Sequence, residues 1–155
     1  MKRSVVFLFL LIAVTASAQQ GRPNNKNALL KGTYSFIIHG KVFIFEGDTH
    51  EAVISGWMTL DGAGKVTEGS GNMTVDGKTS GLAFDPLLGN YHLDTNGYGS
   101  MELMLGFLFP QHFIIAVTHL GDSFYIHVRD LYMPFNGGPT YHVLAMSGEA
   151  TRQGI

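Results

Sequence analysis

Seven histidines, His39, His50, His92, His112, His119, His127 and His142, are the side chains in this sequence best suited to chemistry. A metal site needs several such ligands to converge, and strands achieve that only through i, i+2 pairs or cross-strand neighbours. No two of the seven stand at i, i+2. His119 and His127 flank one hairpin turn and would face each other if the register centred near Ser123, but two ligands do not make a site. No metal is expected. Ser35, Ser55, Ser80, Ser100, Ser123 and Ser147 all sit in strand or turn contexts, and none has the Gly-x-Ser-x-Gly elbow of a strand-to-helix nucleophile. Gly62-Ala63-Gly64 and Gly97-Tyr98-Gly99 are followed by alternating stretches, not by the helix a phosphate loop requires. Asp61 and Asp94 lack the further acidic spacing of an EF-hand calcium loop. No catalytic residues and no cofactor are expected.

Aromatic residues carry a more consistent pattern. Tyr34, Phe36, Phe43, Phe45, Trp57, Phe84, Tyr91, Tyr98, Phe113, Phe124, Tyr125 and Tyr141 recur in nearly every alternating stretch. In a small barrel such residues either fill the interior or leave part of it as a cavity for one apolar ligand. Met58, Met101, Met104 and Met146 suit an adaptable pocket and a plain core equally well. The expected ligand-binding set is Tyr34, Phe36, Met58, Tyr91, Met101 and Phe113. A cyclase- or isomerase-like enzyme would need a polar group beside that cavity, for which Glu46, Glu102 and Tyr34 are the candidates if they point inward.

The elements that must position these residues are hairpins. Gly56 to Gly64 and Gly89 to Gly99 each run from glycine through an alternating stretch to Leu-Asp and a glycine-rich turn. Glycine supplies the positive φ of a tight turn, and the Asp folds its carboxylate onto nearby N–H groups. Asp76-Gly77 is the clearest two-residue turn signal. The spacing predicts strands over Thr33–Ile38 continuing through Lys41–Glu46 past a kink at Gly40, then Ala52–Leu60, Lys65–Asp76 and Lys78–Phe84. After the Asp85-Pro86 break it predicts Asn90–Asp94, Tyr98–Leu105, His112–Leu120, Phe124–Tyr132 and Tyr141–Thr151. No stretch beyond the amino-terminal one shows helical periodicity. The fold class is therefore all-β: an antiparallel up-and-down meander of about eight strands, closing into a barrel, with a two-sheet sandwich as the alternative. Two strands are apolar on both faces. Ile37 opposes Tyr34, Phe36 and Ile38, and Ile114 and Ala116 oppose Phe113, Ile115 and Val117. A wet-faced strand should alternate cleanly, so these outer faces are expected to be covered, first of all by a second copy of the chain.

The amino-terminal stretch reads as an export signal. Lys2 and Arg3 precede an apolar run, Val5 to Val14, and Ala16-Ser17-Ala18 is a small-residue cleavage site. The expected organisation is a signal peptide at 1–18, a polar, disordered lead-in at 19–28, and one barrel domain at 29–152. No membrane span is expected in the mature chain, whose destination would be secreted or periplasmic. The chain contains no cysteine, so its core alone must hold it. The formal charge of −2 becomes −4 once Lys2 and Arg3 are removed. With basic residues scattered, nucleic acid is not an expected partner.

The run Leu30-Lys31-Gly32-Thr33-Tyr34-Ser35-Phe36, the Asp-Gly-x-Gly-x-Val turn at Asp61 to Val66, Gly89-x-Tyr91 and Gly97-x-Gly99 together resemble a group of small secreted bacterial β-proteins of the acidobacterial type. The resemblance covers most of the mature chain. It implies a small barrel similar in outline to the lipocalin and allene-oxide-cyclase barrels, and it carries no catalytic residues across. Three functions remain open on the sequence: a non-enzymatic binding protein holding a small hydrophobic ligand in the barrel, a cyclase- or isomerase-like enzyme, and an envelope or matrix protein assembling through its apolar strand faces.

Overall fold

Turn chemistry sets the chain path. The structure is a computed structural model, and it describes residues 26–44, 48–84, 87–105, 110–118, 120–130, 132–133 and 141–154. At Asp76-Gly77 both residues adopt positive φ, +47° and +73°, the conformation that matches the right-handed twist of flanking strands. At the Asp61 turn one carboxylate oxygen accepts from the N–H groups of Ala63, Gly64 and Lys65 at 2.7–2.9 Å. Asp94 does the same for Asn96 and Tyr98, at 2.8 and 3.0 Å. The two Leu-Asp-turn stretches are built alike, as their sequences are.

Between the turns lie β1 (Lys31–Ile44), β2 (Thr49–Asp61), β3 (Lys65–Val75), β4 (Lys78–Phe84), β5 (Leu87–Leu93), β6 (Tyr98–Leu105), β7 (Pro110–Val117), β8 (Ser123–Asp130), β9 (Tyr132–Met133) and β10 (Tyr141–Arg152). These ten segments fill eight positions. β4 lies opposite Gly71–Val75 and β5 opposite Lys65–Val66, so both continue one line along β3. Asp85 and Pro86, the expected break between them, lie outside the described residues. β8 and β9 likewise share β10. All pairings are antiparallel, and β1 pairs with β10 from Tyr34↔Arg152 to Ile44↔Tyr141. The sheet is thereby a closed barrel and not a sandwich. β1 runs through Gly40 as one strand, its irregularity falling at Lys41/Val42. β7 starts earlier than expected, at Pro110, because a strand's first residue needs no ladder N–H. It ends earlier too, where Thr118 turns back to bond Ser123.

Alternation then sorts the side chains. Phe36, Ile38, Ile54, Met58, Leu103, Phe113, Ile115, Ile126 and Met146 point inward and are buried. One end of this core is closed by polar groups. Tyr34 Oη donates to the Gly121 carbonyl at 2.7 Å, and its ring meets Phe124 edge-on at 5.2 Å. The Arg152 guanidinium donates to Tyr34 Oη, Leu29 O and Gly121 O at 2.8–3.0 Å. Beside it, Tyr91 Oη donates to Leu30 O at 2.9 Å and accepts from Gly62 N at 3.0 Å. Asn27, in a short 3-10 turn (Asn27–Leu29), accepts from Leu93 N at 2.8 Å and donates to Ala63 O. Asn27 is 4% exposed. Asn27 falls within the lead-in expected at 19–28, yet it is buried, and its amide oxygen satisfies a Leu93 N–H that would otherwise be buried without a partner. Residues 1–25, which carry the expected signal peptide and cleavage site, lie outside the described residues.

Candidate functional site

The six residues expected to bind a ligand are all inside the barrel and all at most 6% exposed. Phe36, Met58 and Phe113 border a gap of about 10 Å³ with Ile38, Ile54 and Leu103, roughly the room for one water. Tyr34 and Tyr91 are committed to the hydrogen bonds of the closed end. Met101 is 1% exposed and belongs to the core cluster. Of the polar candidates for an enzyme, Glu46 lies outside the described residues and Tyr34 is inside. Glu102 points outward, 3.7 Å from His112 Nδ1.

Burial has a chemical consequence for the two inner tyrosines. It pushes the Tyr91 phenol up to about 12, against the pull of the Gly62 N–H. It raises Tyr34 as well, with Arg152 opposing. A phenol that ionises near 10 when unfolded and near 12 when folded stabilises the fold fully below pH 10, and that contribution is lost as pH climbs through 12. For Tyr91 it amounts to at most about 3 kcal/mol. Absorbance at 295 nm followed with near-ultraviolet circular dichroism should show exposed tyrosines ionising first, and a late group ionising together with loss of tertiary structure. Uniform ionisation near pH 10 with the fold intact would contradict it.

The outer wall holds the larger space. Cross-strand pairing sets Tyr98, Ala116, Tyr125, Glu149 and Ile37 in one row across β6, β7, β8, β10 and β1. The next row is Ser100, Ile114, His127, Ser147 and His39. Over these rows lies a groove of about 510 Å³, within the range of small-molecule sites. Tyr98 and Tyr125 stand on either side of the small Ala116 and are 62% and 60% exposed; Ile37 and Ile114 are each 45% exposed. Ile114 also borders a more polar groove of about 360 Å³, where Asn90, His92, Glu102, His112 and Arg129 gather.

Several sequence expectations change here. Trp57, Tyr98 and Tyr125, counted among the residues filling the interior, are exposed on the wall. His127 pairs with Ile114, because the β7–β8 register places Val117 opposite Phe124; His119 lies outside the described residues. His92 and Ser100 are cross-strand partners. Among the described residues no three His, Asp or Glu side chains group as metal ligands, and no helix is long and apolar enough to cross a membrane. The groove residues missed by sequence reasoning had one signal, the apolar outer positions Ile37, Ile114 and Ala116. No protein-family model, curated protein or solved structure matches this chain.

Proposed function

We propose that this chain is an exported, non-enzymatic binding protein that takes a small, largely apolar ligand in the groove on its outer wall. The observation that carries this reading is the contrast of volumes: about 510 Å³ over Ala116 against about 10 Å³ among Phe36, Met58 and Phe113. Export rests on Lys2, Arg3, the apolar run Val5 to Val14 and Ala16-Ser17-Ala18. A secreted or periplasmic destination and an acidobacterial-type lineage belong to the same proposal, from the resemblance of the turn motifs.

Two variants separate the wall from the interior. N-phenyl-1-naphthylamine, a neutral apolar fluorophore, should bind the mature protein. Ala116→Trp, which fills the groove floor from outside, should weaken it by about tenfold or more. Phe36→Leu, which enlarges the interior, should leave affinity within about twofold. If Phe36→Leu changes affinity and Ala116→Trp does not, the ligand lies in the barrel and the wall reading fails.

A further inference from the structure

We infer that the wall groove selects a small organic cation, an alkyl- or aryl-ammonium whose apolar body lies against Tyr98, Ala116 and Tyr125 with its charge at Glu149. This rests on the groove being the binding site.

Charge in the groove points one way. Glu149 is flanked across the sheet by Tyr125 and Ile37, and no Lys or Arg lines the groove. Among the described residues no ion pair or side-chain hydrogen bond reaches Glu149. Neighbouring cations are engaged elsewhere, Lys41 with Glu51 at 3.4 Å and Arg152 with Asp122 at 3.5 Å. A carboxylate in an apolar row repels an anion and attracts a cation, while the row itself accepts an apolar body. The two tyrosines add to this. They stand one strand apart on either side of Ala116, so their Cα atoms are about 10 Å from each other. Side chains stand roughly perpendicular to a sheet, so the two exposed rings border the space above Ala116, and an aromatic face carries partial negative charge. Quaternary ammonium groups are recognised by that combination of ring faces and a nearby carboxylate.

The same charge argues against a second copy as occupant. A two-fold contact is self-complementary, so one centred here would bring Glu149 of each copy into a largely apolar interface with no Lys or Arg from either. An unpaired buried charge is costly.

The test uses two probes of one shape and different charge, 4-(hydroxymethyl)phenyltrimethylammonium and 4-tert-butylbenzyl alcohol, neither of which has an ionisable hydroxyl in the working range. Each is titrated into the isotope-labelled mature protein at pH 8, above the ordinary range of imidazole protonation. Amide shifts should centre on Tyr98, Ala116 and Tyr125, and the cation should bind about tenfold more tightly than its neutral twin. Glu149→Gln should cut that preference to about twofold. Tyr125→Leu keeps apolar bulk but removes the ring face, and should weaken the cation about threefold more than it weakens the neutral probe. Equal affinity of both probes at the groove would overturn the cation and leave the groove standing. No shifts at the groove with either probe would overturn both. Shifts there that grow with protein concentration alone, together with a dimer in sedimentation, would put a second copy in the groove and overturn the inference.

Discussion

Tyr34→Ala is expected to destabilise the barrel by about 4–5 kcal/mol, a large share of what a domain of this size possesses. The ring is fully buried and packs edge-on against Phe124. Removing an aromatic side chain from such a place costs about 3–5 kcal/mol through lost burial and the cavity left behind. Its hydroxyl adds to this, being the shared partner of Gly121 O and the Arg152 guanidinium. Without it, that guanidinium keeps only the Leu29 and Gly121 carbonyls and a longer contact to Asp122. Tyr34→Phe retains the ring and should cost only about 1–2 kcal/mol. Urea unfolding of the two variants reads both terms. A loss under about 2 kcal/mol for Tyr34→Ala would mean that this end of the barrel is not held as described.

The second large effect comes from adding a single methyl group. In Gly148→Ala the new Cβ would lie 1.9 Å from the Ile37 carbonyl oxygen and 2.6 Å from Ile38 Cα. Both obstacles are backbone of β1, so no side-chain rotation relieves them, and β10 must move away along the seam that closes the barrel. Overpacking in rigid surroundings costs about 3 kcal/mol or more. Gly154→Ala, whose Cβ meets nothing within 4 Å, is the control and should stay within about 0.5 kcal/mol of the parent. Gly148 also lines the wall groove, so an opened seam should weaken ligand binding in step with stability. Equal stabilities for the two variants in urea would show that β1 and β10 approach less closely than this.

Turns were the most legible part of the chain because turn chemistry is local. The Asp61 and Asp94 carboxylates act within four residues of themselves, and Asp76-Gly77 makes its turn through the φ of its own two residues. Alternation within β7 also survived folding, with Phe113 and Ile115 inside and Ile114 outside. From short turns and period-two runs, an antiparallel barrel follows by repetition.

Direction was harder. A strand pattern separates two faces but, where both are apolar or aromatic, does not say which is inner, and Trp57, Tyr98 and Tyr125 are outside for all their apolar bulk. Closure decided it, since the inner face of a small barrel has room for one set of side chains and puts the other in solvent. Asn27 looked like part of a polar lead-in because its partners, Ala63 and Leu93, are 36 and 66 residues away. Tyr34 and Arg152 meet across 118 residues, and the groove row draws one residue from each of five strands. Local sequence determined the strands and their turns in this protein. Which residues share a site was decided only by register between distant strands, because cross-strand neighbours are set by pairing and not by position along the chain.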